Sequence, residues 1–329
     1  MPKLVDRPAD PAIPTLAVVL EPGELCRRLS DLSWLDTSQG VQLRVLRWKR
    51  ASRCTFELSL PTAQGGRELI GKVYADDRSD VYRNMEAIRR VGFGDEAAFG
   101  IPRPLAFVTS LRLLLYEKAP GARARNVIVQ SDESDRAQAA ERCGQWLARF
   151  HARGPRLCPG TRPHDQMKAL EGACRNVVET APALANKARR LFEGLAIACP
   201  RLAEDNLRAA HGTYTPGQVL LAEERTVTMD WDTYQVADPV NDVGRFLVEL
   251  KRMGLKYTGT TSAFDATAAV FLSAYESAAG SDVRTRLAFH TAAICLDRAK
   301  HDVDKQAEPW AQRAVAMLDE GLRALELHS

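Results

Sequence analysis

The chain has 329 residues, 45% hydrophobic and 26% charged, with 45 Lys and Arg against 42 Asp and Glu for a net charge of +3. This is the composition of a soluble globular protein of two domains or lobes, and so balanced a charge does not mark a nucleic-acid binder. No apolar run approaches a membrane span, and the seven cysteines, at 26, 54, 143, 158, 174, 199 and 295, lack metal-ligand spacing and read as reduced thiols of a cytoplasmic protein.

Residues 1–20, with Pro2, Pro8, Pro11 and Pro14, read as an irregular arm without the charged-then-apolar order of a signal peptide. A helix is expected over Glu21–Leu32. Val41–Trp48 and Cys54–Leu60 are strand-like, the second by its alternation of apolar and polar residues. The turn cluster Pro61–Gly66 leads to a third run, Leu69–Tyr74, which carries Lys72, so the last two runs form an antiparallel hairpin. A helix fits Asp80–Val91 and a strand fits Leu111–Glu117.

After Gly121 the pattern becomes helical. Arg136–His151 places Ala139, Cys143, Trp146, Leu147 and Phe150 on one face. Further helices are expected over Gln166–Val178, Ala183–Ala196 and Arg201–Ala210. A short hairpin pairs Val219–Leu221 with Val227–Met229. Asp238 then caps a helix with Pro239 in its first turn, and that helix buries Val243, Phe246, Leu247 and Leu250. Ser262–Leu327 is mostly helical. The expected fold is α+β, with a small antiparallel-sheet lobe over residues 1–118 and a large helical lobe over 119–329.

Four features carry chemistry. Lys72 lies inside an apolar strand, where a charge is costly unless paired, and phosphate oxygens are one such partner. Glu86, on the next helix, is a candidate to hold it. The third feature is His211-Gly212-Thr213-Tyr214-Thr215-Pro216-Gly217-Gln218. The fourth is Met229-Asp230-Trp231-Asp232, followed by Asp238-Pro239-Val240-Asn241-Asp242. Asp230 is out of place beside a strand, so a merely structural reading does not account for it. His211 reads as a core histidine rather than a chemical group. The basic run Arg44, Arg47, Lys49, Arg50 and Arg53 reads as a solvated sheet face.

In this order the motifs resemble the aminoglycoside phosphotransferase family, itself similar to choline kinases and protein kinases, from Val41 onward. The resemblance implies a two-lobed kinase-like fold that binds ATP and Mg²⁺ between its lobes. It implies that Lys72, supported by Glu86, holds the α- and β-phosphates, that Asp230 and Gln218 bind Mg²⁺, and that Glu117 to Ala119 form the hinge that contacts adenine. Asp242 is implied to tie down the catalytic loop.

Two positions depart from the family pattern. The family places an aspartate base where Thr213 stands, and a neutral hydroxyl is a poor base. The loop Lys49–Arg53 lacks the family's glycines, although Ser52 and Arg53 could still meet phosphate. The expected function is therefore an ATP- and Mg²⁺-binding protein degenerate at its base, a pseudokinase or scaffold with a protein partner. The alternative is an active phosphotransferase that uses a replacement base such as Asp232 on a hydroxyl of a small molecule or peptide. Neither nucleic acid nor membrane is an expected partner.

Overall fold

The computed structural model describes residues 9–36, 38, 40–61, 66–161, 163–199, 207–280 and 283–326, and in it the chain divides into two units, Met1–Pro120 and Gly121–Ser329. In the first unit two helices, α1 (Leu16–Val19) and α2 (Pro22–Leu29), precede the strands β1 (Gln42–Lys49), β2 (Arg53–Leu60) and β3 (Arg67–Tyr74). Helix α3 (Ser79–Ile88) follows, then β4 (Phe99–Gly100), β5 (Pro104–Val108) and β6 (Leu113–Glu117). Five of these strands form an antiparallel sheet in the order β1-β2-β3-β6-β5.

Strand alternation sorts the side chains of this sheet onto two faces. Cys54, Phe56, Leu58, Leu69, Val73, Leu113 and Leu115 share one face and are fully buried. Gly71 lies beneath Phe56, and a Cβ there would come within 2.2 Å of the ring, so the close approach requires glycine. The cover for this face comes from the N-terminal segment. Ile13, Leu16, Val19, Leu25 and Leu29 pack onto it and are almost wholly excluded from solvent. At about 1.5 to 3 kcal/mol for each buried side chain, the described part of the segment is a structural element, which corrects the expectation of an irregular arm. Its prolines break it into short turns, but its apolar residues still reach the sheet. Residues 1–8 of that expected arm lie outside the described residues.

The second unit contains β7 (Ala122–Arg123), α4 (Ala124–Gln130), α5 (Glu133–Arg153), α6 (Pro163–Thr180), α7 (Ala185–Ala198) and β8 (Arg208–Ala210). Strands β9 (Val219–Leu221), β10 (Thr226–Thr228) and β11 (Gln235–Ala237) follow, and the chain continues through α8 (Val240–Thr258), α9 (Asp265–Ala279), α10 (Arg284–Lys305) and α11 (Trp310–Glu326). Val177, Leu191, Leu195, Phe289, Leu296 and Met317 make the core of α6, α7, α10 and α11. The helix expected over Arg201–Ala210 is corrected at its end, where Arg208–Ala210 is a strand paired with β11. That pairing is not local, so no short-range pattern announces it. The rest of that expected helix lies outside the described residues. In α8 it is Val248, not Leu247, that joins Val243, Phe246 and Leu250 in the core. Among the described residues no helix is long and apolar enough to cross a membrane.

Candidate active site

The loop 211–218 rests on an aromatic bed. Trp146 and Phe150 of α5 stack at 5.4 Å, and Tyr214 and Trp231 lie against Trp146 at 5.6 and 6.0 Å. Two hydrogen bonds fix the bed: Tyr214 donates to the Cys143 carbonyl at 2.9 Å, and Trp231 Nε1 donates to the Thr228 carbonyl at 3.0 Å. Burial pushes the Tyr214 hydroxyl far above its ordinary pKa, so it stays a neutral donor. His211 is fully buried, with its Nε2 3.1 Å from the Met229 carbonyl, as befits a loop organiser.

Asp242 sets the shape of this loop. Its side chain is wholly buried in the first turn of α8. Oδ2 accepts the N–H of His211 at 2.6 Å, and Oδ1 accepts the N–H of Gly212 at 2.9 Å and of Tyr214 at 3.5 Å. His151 Nε2 stands 3.3 Å from Oδ2, and its Nδ1 is 2.9 Å from the Tyr275 hydroxyl. Burial alone raises a carboxyl pKa, but the hydrogen bond and charge of His151, with His211, outweigh it and hold Asp242 below its ordinary value. Gly212 has φ +84°, and a Cβ there would meet the Thr233 carbonyl at 2.2 Å. Both facts require glycine next to Thr213.

Thr213 belongs to a chain of hydrogen bonds with a fixed direction. Gln218 Nε2 donates to Thr213 Oγ1 at 3.2 Å, and Thr215 donates to Gln218 Oε1 at 3.1 Å. Thr233 donates its one hydroxyl proton to the His211 carbonyl at 3.0 Å. In the 2.7 Å contact between the two threonine hydroxyls, Thr213 must therefore donate and Thr233 accept. Thr233 was not anticipated from sequence. A threonine in a short turn carries no signal until the fold brings it across from position 213.

The hairpin of β9 and β10 brings Gln218 and Asp230 together, with the Met229 N–H donating to the Gln218 carbonyl at 2.9 Å. Asp230 is half-buried and holds a left-handed backbone, φ 73°, at the start of a turn, so it ends the strand rather than lying within it. Asp232 is buried at 8% exposure, and its neighbour Thr233 is the residue that meets Thr213. Arg142, also missed from sequence, reaches from α5 to the hairpin turn. It donates to the carbonyls of Ala222 at 2.7 Å and Arg225 at 2.6 Å and to the Thr226 hydroxyl at 3.1 Å. Among the described residues no group of three or more His, Cys, Asp or Glu could hold a metal alone. Asp230 and the Gln218 amide carry hard oxygens of the kind Mg²⁺ prefers, and Gln218 Oε1 accepts from the Thr215 hydroxyl at 3.1 Å.

In the first unit Lys72 is 5% exposed. Its register partners, Thr55 on β2 and Leu114 on β6, put it on the face opposite the N-terminal cover. Glu57 lies on the same face, paired in register with Ile70. This carboxylate is buried, 2.9 Å from Arg44 and 2.8 Å from Lys118, and Lys118 also meets Glu68 at 2.7 Å. Arg44 is thus an ion-pair partner rather than only a solvated base. Burial works to raise the Glu57 pKa, but Lys118 and Arg44 bring it below its ordinary value. Glu86 lies 3.5 Å from Arg90. Ser52 and Arg53 follow a turn whose Ala51, at φ 53°, gives its N–H to Asp10 at 2.7 Å. Trp48 Nε1 donates to the same carboxylate at 3.1 Å, so Asp10 already occupies that turn's amide. Glu117 pairs with Arg67 at 2.9 Å, and Ala119 lies two residues on.

Residues 62–290 match the model of the phosphotransferase enzyme family. The chain belongs to this family. Its fold is the kinase-like fold of solved relatives. Aminoglycoside phosphotransferase APH(4)-Ia superposes with a TM-score of 0.64 at 15% identity, covering 91% of this chain and 99% of that one. A choline/ethanolamine kinase family protein from Mesorhizobium loti gives 0.64 at 15%, covering 93% and 99%. Choline kinase from Cryptosporidium parvum gives 0.63 at 9%, covering 92% and 94%. No curated protein sequence matches the chain.

Proposed function

We propose that the protein binds Mg·ATP as kinase-like phosphotransferases do and has lost the general base that would make it a fast enzyme. The observation that carries this reading is the loop 211–218. Asp242 and Gly212 hold it rigid, yet Thr213 offers no carboxylate where the family places one. Support for a nucleotide comes from a solved relative at 17% identity, an APH(4)-Ia mutant in ternary complex with ADP and hygromycin B.

In this reading Lys72 is the counter-charge for the α- and β-phosphates, with Glu86 close enough in the chain to steady it. Gln218 and Asp230 hold Mg²⁺, which screens the phosphate charge when it is bound. Glu117 and Ala119 present backbone groups to the base, and the side chains of Ser52 and Arg53 are the phosphate contacts left to the glycine-free turn. Phosphoryl transfer asks mostly for positioning and charge cancellation, so a site that keeps these and loses the base retains binding and a slow reaction. Thr213 offers only a neutral hydroxyl, held between Gln218 and Thr233, and such a group is too weak a base to take the acceptor proton. Asp232 is the nearest carboxylate in sequence to that pair, but it is buried.

Thermal melts with and without Mg·ATP test the reading. A ligand at 100 times its dissociation constant adds about 2.7 kcal/mol to the folded state, so the melting temperature should rise by several degrees. The rise should vanish in Lys72→Ala and Asp230→Asn. No rise at millimolar Mg·ATP contradicts nucleotide binding, and a rise that survives in both variants contradicts the assignment of these residues.

A further inference from the structure

Strand β1 lies at the edge of the five-stranded sheet and carries a bulge. Before the bulge its residues alternate: Arg44 pairs with Glu57 on the Lys72 face, and Val45 pairs with Phe56 on the covered face. Continued alternation would put Leu46 and Trp48 on the Lys72 face and turn Arg47 and Lys49 toward the apolar cover. The register instead shifts between Val45 and Arg47 and leaves Leu46 without a partner on β2. Arg47 then lies opposite Thr55, Trp48 opposite Cys54 and Lys49 opposite Arg53. One extra residue thus moves two cations onto the Lys72 face, and Trp48 comes to the covered side, where it donates to Asp10.

Arg47, Thr55 and Lys72 form one row across three neighbouring strands. Arg47 and Lys72 stand on either side of Thr55, about 10 Å apart at the usual strand spacing of about 4.8 Å. Strands β1 to β3 present Arg44, Arg47, Lys49, Arg53 and Lys72 to this face against two carboxylates, Glu57 and Glu68. Both carboxylates are taken: Glu57 by Arg44 at 2.9 Å and Lys118 at 2.8 Å, and Glu68 by Lys118 at 2.7 Å. Arg47 is exposed and forms no ion pair among the described residues. The turn that follows β1 spends its amides inside the protein, Ala51 on Asp10 at 2.7 Å and Ser52 on the Lys49 carbonyl at 3.1 Å. A phosphate at this end of the sheet must therefore be met by side chains.

We propose that Arg47 is a phosphate ligand of the nucleotide site, and that Arg47, Thr55 and Lys72 clamp the nucleotide phosphates with side chains in place of turn amides. A phosphate above Thr55 takes the Arg47 guanidinium fork on one side, the Lys72 ammonium on the other and the Thr55 hydroxyl below. The inference deepens the Mg·ATP reading and rests on it. It draws one member of the basic run into the site and leaves Arg50, in the turn, outside it.

Titration calorimetry of Mg·ATP into the full chain tests it. Arg47→Gln should weaken binding at least about tenfold, or 1.4 kcal/mol. Arg50→Gln, which removes the same charge from the turn, should keep most of the affinity. Arg47→Lys should lie between wild type and Arg47→Gln, because an ammonium keeps the charge and loses the fork. Without nucleotide, Arg47→Gln should melt with the wild type, since Arg47 is exposed and holds no ion pair, and this separates a lost ligand contact from a lost fold. Wild-type affinity in Arg47→Gln, or an equal loss in Arg50→Gln, overturns the proposal and leaves nucleotide binding standing. A wild-type chain that binds no Mg·ATP overturns the nucleotide reading and this inference with it.

Discussion

Asp242 accepts the backbone N–H of Gly212 at 2.9 Å, and through this contact a residue of α8 fixes the position of Thr213. The same carboxylate serves His211 and Tyr214 and faces His151. Asp242→Ala strands these donors in a place without water. Breaking one partner of a buried charged network costs about 3 to 5 kcal/mol. Chemical denaturation should show a loss of that size, equal with and without Mg·ATP. An unchanged denaturation midpoint would mean that Asp242 does not support the loop.

Asp238 predicts an acid-sensitive contribution to stability. Burial alone would raise its carboxyl pKa, but the hydrogen bond and charge of His290, the Val240 N–H and Arg286 bring it down to about 2. A carboxyl whose folded pKa is depressed stabilises the fold above its unfolded pKa and loses that effect as pH falls toward the folded pKa. The window is therefore about pH 4 down to about pH 2, with an amplitude on the order of 2 kcal/mol. The stability difference between wild type and Asp238→Asn should shrink across this window. A constant difference from neutral pH downward would contradict the assignment.

Arg142 should support the site from a distance. It bonds two carbonyls and a hydroxyl of the hairpin that bears Gln218 and Asp230. Arg142→Ala leaves the partly buried acceptors unpaired, at about 1 to 3 kcal/mol. Because the hairpin also carries the proposed Mg²⁺ ligands, the variant should bind Mg·ATP more weakly even below its melting transition. Titration calorimetry on the folded variant checks this, and an unchanged affinity would restrict Arg142 to stability.

Glu57 should tune the base end of the nucleotide site. It lies on the Lys72 face of the sheet and is bonded to Lys118, next to the expected hinge. A base placed between the hinge and Lys72 would meet this ion pair instead of a flat apolar surface. Arg44 and Lys118 are 60% and 37% exposed, so water can take over their charges when Glu57 is removed. Glu57→Leu should change stability by no more than about 1 kcal/mol and should raise Mg·ATP affinity. An unchanged or lower affinity would place the base elsewhere.

Local chemistry explains what was legible in the sequence. The alternation in Cys54–Leu60, the apolar stripe of Arg136–His151 and the spacing of the His211, Asp230 and Asp238 motifs each mark an element within a few residues of its place. The unread parts depend on long-range contacts. The N-terminal cover is a run of short turns whose partner sheet lies some tens of residues on. Strand β8 exists because β11 pairs with it. Thr233, Arg142 and Glu57 are ordinary residues whose importance comes from neighbours 20, 84 and 61 positions away.

The central claim is that the loop is intact and only its base is missing, and replacing Thr213 measures it most directly. Gln218 Nε2 already donates toward position 213, so an aspartate there would find a donor ready. Mg·ATP turnover is measured for wild type, Thr213→Asp and Asp232→Asn side by side, with water as the acceptor. The account predicts slow wild-type turnover, little change in Asp232→Asn, and a gain in Thr213→Asp within the general-base range of about 10²- to 10⁴-fold. Fast wild-type turnover that is indifferent to Thr213→Asp and lost in Asp232→Asn would contradict it.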